Sequence, residues 1–250
     1  MILANWHLKT GWSSPTLQPY APLPIMPNAS VLHHATECFE GMKAYRGHDG
    51  SLRLFRPECN ALRMRASAAR VSLPDFCPEA LVVLIRRLLE VDAPRFLPRS
   101  RPGEFLYLRP VLIGTHRGLG PQVPEEACLV VFATYMPVFG EGGIRVLASG
   151  EGVVRAWPGG FGDAKVGGNY GPALGEALRA KTKGFDQVLW LFGEQRWVTE
   201  CGTSNFFVVW RGRDGGLELV TAPLGDGVIL DGIMRRSVLQ LVRERLGGGC

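Results

Sequence analysis

Residues 155–170 read RAWPGGFGDAKVGGNY and place Lys165 between Gly159, Gly160 and Gly162 on one side and Gly167 and Gly168 on the other. Glycine lacks a Cβ, so it admits left-handed backbone and the close approach of a bulky neighbour. So dense a glycine setting leaves two readings: a lysine held against something large and flat, or an ordinary surface loop. Lysine is also scarce in this chain. Of 28 basic residues only Lys9, Lys43, Lys165, Lys181 and Lys183 are lysines, which leaves 23 arginines.

Composition narrows the class. A chain of 250 residues with 46% hydrophobic and 20% charged residues has the make-up of a soluble globular protein of one large or two ordinary domains. The formal net charge is +5, but basic residues are scattered and often stand beside acids, as in Arg243-Glu244-Arg245. That pattern fits a solvated surface and not a nucleic-acid site. Six widely spaced cysteines (Cys38, Cys59, Cys77, Cys128, Cys201, Cys250) form no CxxC or Cys/His cluster. They read as reduced thiols and imply no metal site. No apolar run approaches the roughly 18 residues of a membrane span, and the first ten residues lack the features of a signal peptide. A cytoplasmic location follows, with a mitochondrial one possible.

Periodicity gives the elements. Residues 30–46 read as a strand-like start with a turn at Gly41, and Leu52–Phe55 as a strand after a hairpin turn at His48-Asp49-Gly50. A helix follows from Pro57, with Leu62, Ala66 and Ala69 expected on its inner face and Arg63, Arg65 and Arg70 toward water. Pro78 to Asp92 reads as a second, core-packed helix. Glu104–Ile113 alternates as a strand with Tyr107 and Arg109 on one face, so the arginine either pairs with an internal acid or receives an anionic ligand. Ala127–Tyr135 reads as a buried strand, and the stretch from Met136 to Gly143 as a linker. The second half holds strands at 144–148, 187–192, 197–200, 204–210 and 217–221. Helices are expected after Pro172, ending at Gly184, and over 233–246, the latter entered through a glycine-punctuated loop suited to an anion.

Suppose Lys165 condenses with an aldehyde. The planar candidate is pyridoxal phosphate, which asks for a buried carboxylate at its ring nitrogen, a donor at its ring oxygen, and arginine or amide donors at its phosphate. Glu200, at the end of an apolar strand, answers the first demand, since an unpaired carboxylate there would be costly. Tyr170 answers the second, and the turn at Gly227–Ile229 supplies amides for the third.

These segments, RAWPGGFGDAKVGGNYGP, WVTECGTSNFF, FEGMKAYRG, LRLFRPECN and LYLRPVLIG, together resemble the branched-chain amino acid aminotransferases, class IV pyridoxal-phosphate enzymes, and the eukaryotic type most. The matches run from about Trp6 to the last helix. The resemblance implies an α+β, two-domain, D-amino acid aminotransferase-like fold. Its parts would be a small N-terminal α/β domain at 1–138, a linker at 139–143, and a cofactor-binding, incomplete pseudo-barrel domain at 144–250. It implies reversible amino transfer between leucine, isoleucine or valine and 2-oxoglutarate in a homodimer, without nucleic-acid or membrane partners. By the same resemblance Lys165 is the Schiff-base lysine and proton carrier, Glu200 pairs with the ring nitrogen and Tyr170 contacts the ring oxygen. Arg63, Val228 and Ile229 hold the phosphate. Phe39, Tyr107, Arg109 and Thr203 line the substrate side, with Tyr107 and Arg109 receiving the carboxylate of glutamate. Other readings are a class IV aminotransferase with a different small amino donor and a non-catalytic homologue.

The chain departs from the family pattern. His34, Ala164 and Asp231 stand where tyrosine, tyrosine and proline are common, and Phe139 is nearest to a further expected tyrosine. The family also begins before Met1 and continues past the point matching Leu246 with a loop that serves the phosphate and the substrate carboxylate, so a shortened chain is expected.

Overall fold

The computed structural model describes residues 1–136 and 142–246. The expected linker at 139–143, with Phe139, falls largely outside the described residues, as does Cys250. The chain divides into two compact units. The first is Met1–Phe139 with Ala164–Gly167, and the second is Gly140–Asp163 with Gly168–Cys250. The four residues around Lys165 thus belong to the first unit although the segments on either side belong to the second.

The first unit comprises strands β1 (Ile2–His7), β2 (Gly11–Trp12) and β3 (Thr16–Leu17), a short helix α1 (Ser30–His34), and strands β4 (Glu37–Phe39), β5 (Met42–Arg46) and β6 (Leu52–Leu54). Helices α2 (Pro57–Arg70) and α3 (Pro78–Phe96) and the long strands β7 (Phe105–Gly114) and β8 (Glu126–Thr134) follow. All these strands form one sheet ordered β2-β1-β8-β7-β5-β6, with β3 on β1 and β4 on β7. Alternation along β7 buries Leu106, Leu108 and Leu112, and the same cluster takes in Ala61, Met64 and Ala68 of α2 and Leu81, Ile85, Leu88 and Leu89 of α3. A smaller cluster around Met1, Ile113, Cys128 and Val130 packs with Leu3, Val111 and Phe132.

Two expectations are corrected here. Residues 30–34 are helical and not strand, ending at Ala35 in left-handed backbone (φ 49°). The inner face of α2 is also rotated from the expected one. Leu62 is 51% exposed, and Ala61, Met64, Ser67 and Ala68 are buried instead. The arginine-rich sequence NALRMRAS offers several apolar arcs, and packing against the sheet chose the one through Met64.

Pro110 occurs inside a central strand, where a residue without an N–H is unusual. It sits where the neighbour of β7 changes. β5 pairs with residues 105–108, β4 pairs with residues 111–113, and between them the Pro110 carbonyl accepts the amide of Glu40 at 2.9 Å. The strand break therefore fixes the Glu40-Gly41 corner.

The second unit contains β9 (Val146–Ala148), α4 (Leu174–Thr182), β10 (Gln187–Phe192), β11 (Trp197–Cys201), β12 (Ser204–Asn205), β13 (Phe207–Arg211), β14 (Leu217–Thr221) and α5 (Ile233–Arg245). A sheet ordered β12-β11-β10-β9 has β9 parallel to β10, and α4 lies between those two strands in the chain. Ala180 of α4 packs on Val188 and Trp190 of β10. Gly184 ends this helical segment with φ +81°, a left-handed conformation for which glycine is suited. The single strand expected over 204–210 is two. β12 pairs with β11, and β13 pairs with β14 in a separate hairpin. The break at Phe206 follows from tertiary bonds that alternation does not encode. Asn205 donates to Glu200 and to the Leu230 carbonyl, and Thr221 donates to the Phe206 carbonyl. Among the described residues no helix is long and apolar enough to cross a membrane.

The rotated face of α2 has a direct consequence. Met64→Ala should lower unfolding stability by about 2–5 kcal/mol, the range for emptying a packed site, whereas Leu62→Ala should stay within about 0.5 kcal/mol, both read from urea unfolding.

Candidate active site

Residues 164–166 run beside β4 and α2 of the first unit. The backbone amide of Lys165 donates to Ser67 Oγ on α2 at 2.8 Å, its carbonyl accepts the amide of Phe39 at 3.0 Å, and Val166 bridges to Cys38. Ala164 and Val166 point into the core, being 4% and 3% exposed, so the residue between them is held on the other side. Lys165 is thus tied through its backbone to α2 and β4 and does not sit on an unanchored surface loop. Ala164 lies in the main core cluster. On the other flank a Cβ at Gly167 would overlap the Glu37 carboxylate, so that glycine is required by close approach.

The Lys165 amine is largely buried, with Nζ 4.7 Å from the centre of the Phe39 ring. Burial holds its pKa below the ordinary lysine value. The charge of Glu40 acts against this, Arg63 adds to it, Tyr107 opposes it and Arg109 adds to it. A lysine so placed is neutral more often than a surface lysine, which is the form that attacks a carbonyl carbon.

Glu40 is completely buried and gathers donors from helix α2 and from the turn just after Glu40 itself. Arg63 of α2 meets it with Nε at 2.6 Å and a second guanidinium nitrogen at 2.9 Å, Asn60 donates at 2.8 Å, and the amide of Gly41 at 3.1 Å. Asn60 and Arg63 are three residues apart on one helix, so both reach the same carboxylate. Arg63 therefore does not face water as the helix reading expected. Its side chain is 11% exposed. Arg65 and Arg70 are exposed, with Arg65 3.6 Å from Asp75.

Tyr107 and Arg109 are brought together on β7, the guanidinium donating to the phenol oxygen at 3.2 Å and stacking 4.6 Å over the Phe39 ring. Among the described residues the internal-acid alternative for Arg109 finds no ion pair. Its Nε is buried with no hydrogen-bond partner among the described residues. Glu37 is near enough for the charge of Arg109 to oppose the rise that burial imposes on its pKa. Gly41 admits the Tyr107 ring, since a Cβ there would overlap its hydroxyl. Phe39, Arg63, Tyr107, Arg109 and Lys165 thus form one constellation in the first unit. Cys38 beside it is fully buried, and burial with Glu40 and Glu37 pushes its thiol pKa up, so it is an inert packing residue.

In the second unit Glu200 is 3% exposed. One carboxylate oxygen accepts from Asn205 at 3.1 Å and from the Leu230 amide at 3.0 Å, and the other forms an ion pair with Arg155 Nε at 2.8 Å. Val228 and Ile229 are buried in the adjacent turn. The Val228 amide is engaged by Asp226 at 3.0 Å, an Asx turn closed within the loop. Asp231 pairs with Arg236 of α5. Tyr170 is half-buried ahead of α4, and Thr203 is exposed in the turn between β11 and β12. Motif reading missed Glu40, Asn60, Ser67, Arg155 and Asn205. A carboxylate between Phe39 and Gly41 and an Asn/Arg pair three apart were the available signals for the first two. Nothing local marks Ser67 or Asn205.

Comparison with known proteins matches residues 37–248 to amino-transferase class IV. The chain is 45% identical over 249 residues to the cytosolic branched-chain-amino-acid aminotransferase of Saccharomyces cerevisiae, covering 98% of this chain and 65% of that protein. It is 46% identical over 247 residues to the mitochondrial enzyme of Rattus norvegicus, covering 97% and 62%. A branched-chain amino acid aminotransferase from Thermobaculum terrenum, solved in its PLP form, superposes with a TM-score of 0.74 at 20% identity, over 98% of this chain and 74% of that one. The chain belongs to the class IV aminotransferase family and has its α+β fold. It spans less than two thirds of the length of the two curated relatives.

Two outcomes test the electrostatics of the first unit. Glu40→Ala should destabilise the protein by about 3 kcal/mol, because it leaves a mostly buried guanidinium without its counter-charge. Glu40→Gln should cost less, both measured by chemical unfolding. Lys165→Met should raise stability at neutral pH. A lysine pKa depressed in the fold means that charging the amine opposes folding. The gain is therefore greatest below the folded-state titration and shrinks as pH rises toward 10.5, the ordinary lysine value.

Proposed function

We propose that this chain carries the reaction centre of a branched-chain amino acid aminotransferase, transferring an amino group between leucine, isoleucine or valine and 2-oxoglutarate. The observation that carries it is Lys165, a buried amine with a lowered pKa, a pinned backbone and an aromatic wall. Pyridoxal phosphate fits this set and supplies an aldehyde carbon with a pyridine ring that accepts electrons.

The residues of this chain do the rest. Lys165 Nζ would hold the cofactor at its aldehyde carbon and, once the substrate amine had displaced it, would as a free amine move the proton at the substrate α-carbon. Glu200, held by two hydrogen bonds and the Arg155 ion pair, would keep a proton at the pyridine nitrogen, and Tyr170 would serve the ring oxygen. Arg63, with its plane fixed by Glu40, and the Val228-Ile229 turn bind the phosphate. Phe39 and Thr203 bound the substrate. Arg109, with its buried unpartnered Nε and with Tyr107 beside it, takes the side-chain carboxylate of glutamate. The Phe39 ring offers apolar surface to the aliphatic donors. We also infer a homodimer and a cytoplasmic location, relatives being named both cytosolic and mitochondrial.

Purified protein incubated with pyridoxal phosphate and desalted should retain a visible absorbance that Lys165→Ala lacks, and should form glutamate from leucine and 2-oxoglutarate. A colourless wild type, or colour retained in Lys165→Ala, overturns this reading. Colour with preference for another amino donor would replace the substrate assignment alone.

A further inference from the structure

Arg155 opens the lysine stretch and has no cofactor or substrate role above, yet its guanidinium meets partners in three separate segments. Its side chain is 8% exposed and faces Glu200, which is 4% exposed, with Nε 2.8 Å from the second carboxylate oxygen. One terminal guanidinium nitrogen donates to two carbonyls, that of Val228 at 2.8 Å and that of Gly162 at 3.1 Å. These three partners come from three places: strand β11, the turn before α5, and the glycine loop three residues ahead of Lys165.

The surroundings close the same circuit from the other side. Asn205 bridges the Glu200 carboxylate to the Leu230 carbonyl, and the Leu230 amide donates to Glu200. Gly162 sits so close to the turn that a Cβ would meet the carbonyls of Gly227 and Val228 and the Ala156 side chain. Ala156, Val228 and Ile229 form a small apolar cluster over this network. A carboxylate as buried as Glu200 stays ionised only beside a cation or several donors, and a guanidinium does not give up its proton. Only arginine has both the charge for the carboxylate and a planar set of donors that reaches two carbonyls at once.

We propose that Arg155 is a positioning residue that keeps Glu200 ionised and locks the Val228 turn and the Gly162 end of the lysine loop to it as one rigid body. The proposal rests on the functional reading above, in which Glu200 serves a pyridine nitrogen and the turn serves a phosphate. Arg155 touches neither. Its effect is to fix the spacing between the two groups that do.

Three variants test this, Arg155→Met, Arg155→Lys and Arg155→Gln, with two readouts. The first is amide hydrogen exchange on the protein without added pyridoxal phosphate. Arg155→Met should exchange faster at residues 160–163 and 228–230, with strands β7 and β8 unchanged. The second is pyridoxal phosphate affinity by equilibrium dialysis. Arg155→Met and Arg155→Gln should bind roughly ten- to a hundredfold more weakly, the usual loss when a residue orienting a binding group is removed. Arg155→Lys restores the cation but not the two-carbonyl reach. It should recover affinity to within about tenfold of wild type, by the same scale, while exchange at 228–230 stays fast. Equal exchange in wild type and Arg155→Met overturns the clamp. Unchanged affinity with faster exchange overturns the positioning role, and Arg155→Lys no better than Arg155→Met overturns the role of charge. If Arg155→Met does not fold, Arg155→Lys must still show faster exchange at 228–230, and protection equal to wild type refutes the proposal. Wild-type protein that takes up no pyridoxal phosphate counts against the functional reading instead, and the exchange comparison still judges the clamp.

Discussion

Burying an ionisable group in apolar surroundings is unfavourable unless donors, acceptors or an opposite charge meet it, and much of this molecule answers that requirement. Lys165 is held against the Phe39 ring, where burial disfavours the charged amine. Glu40 is the compensating charge, and its own burial is tolerated because Arg63, Asn60 and the Gly41 amide converge on it. The corner that carries Glu40 is fixed in turn by the Pro110 carbonyl, at the point where β7 changes partners. A chain of backbone and side-chain constraints thus runs from the sheet to the amine.

The same logic operates in the second unit with different parts. Glu200 is buried at the end of β11, and Arg155, Asn205 and the Leu230 amide all reach its carboxylate. Their other bonds go to the Val228, Gly162 and Leu230 carbonyls, so satisfying the charge also ties the turn and the loop together. Charge compensation and geometric precision are here one device. A residue that only neutralised Glu200 would leave the turn loose.

The sequence displayed much of this. Glycines around a scarce lysine singled out Lys165, β7 alternation put Tyr107 and Arg109 on one face, and five separated motifs pointed to a class IV aminotransferase, the family that the comparisons show. It was less informative where side chains act over distance. The inner face of α2 was misplaced because an arginine-rich helix has more than one apolar arc. The strand over 204–210 was read as continuous because Asn205 breaks it through bonds to residues 200 and 230, which no local pattern records.

The amino-acid sequence by itself determined which residue types could do the chemistry and the order of most strands and helices, because periodicity and glycine placement are local properties. Only the tertiary structure decided that residues 164–167 join the first unit, that Arg63 is committed to Glu40, and that Arg155 spans three separate segments. Those are contacts between residues far apart along the chain, 73 positions for Arg155 and Val228 and 98 for Lys165 and Ser67, and burial, not local propensity, selects them.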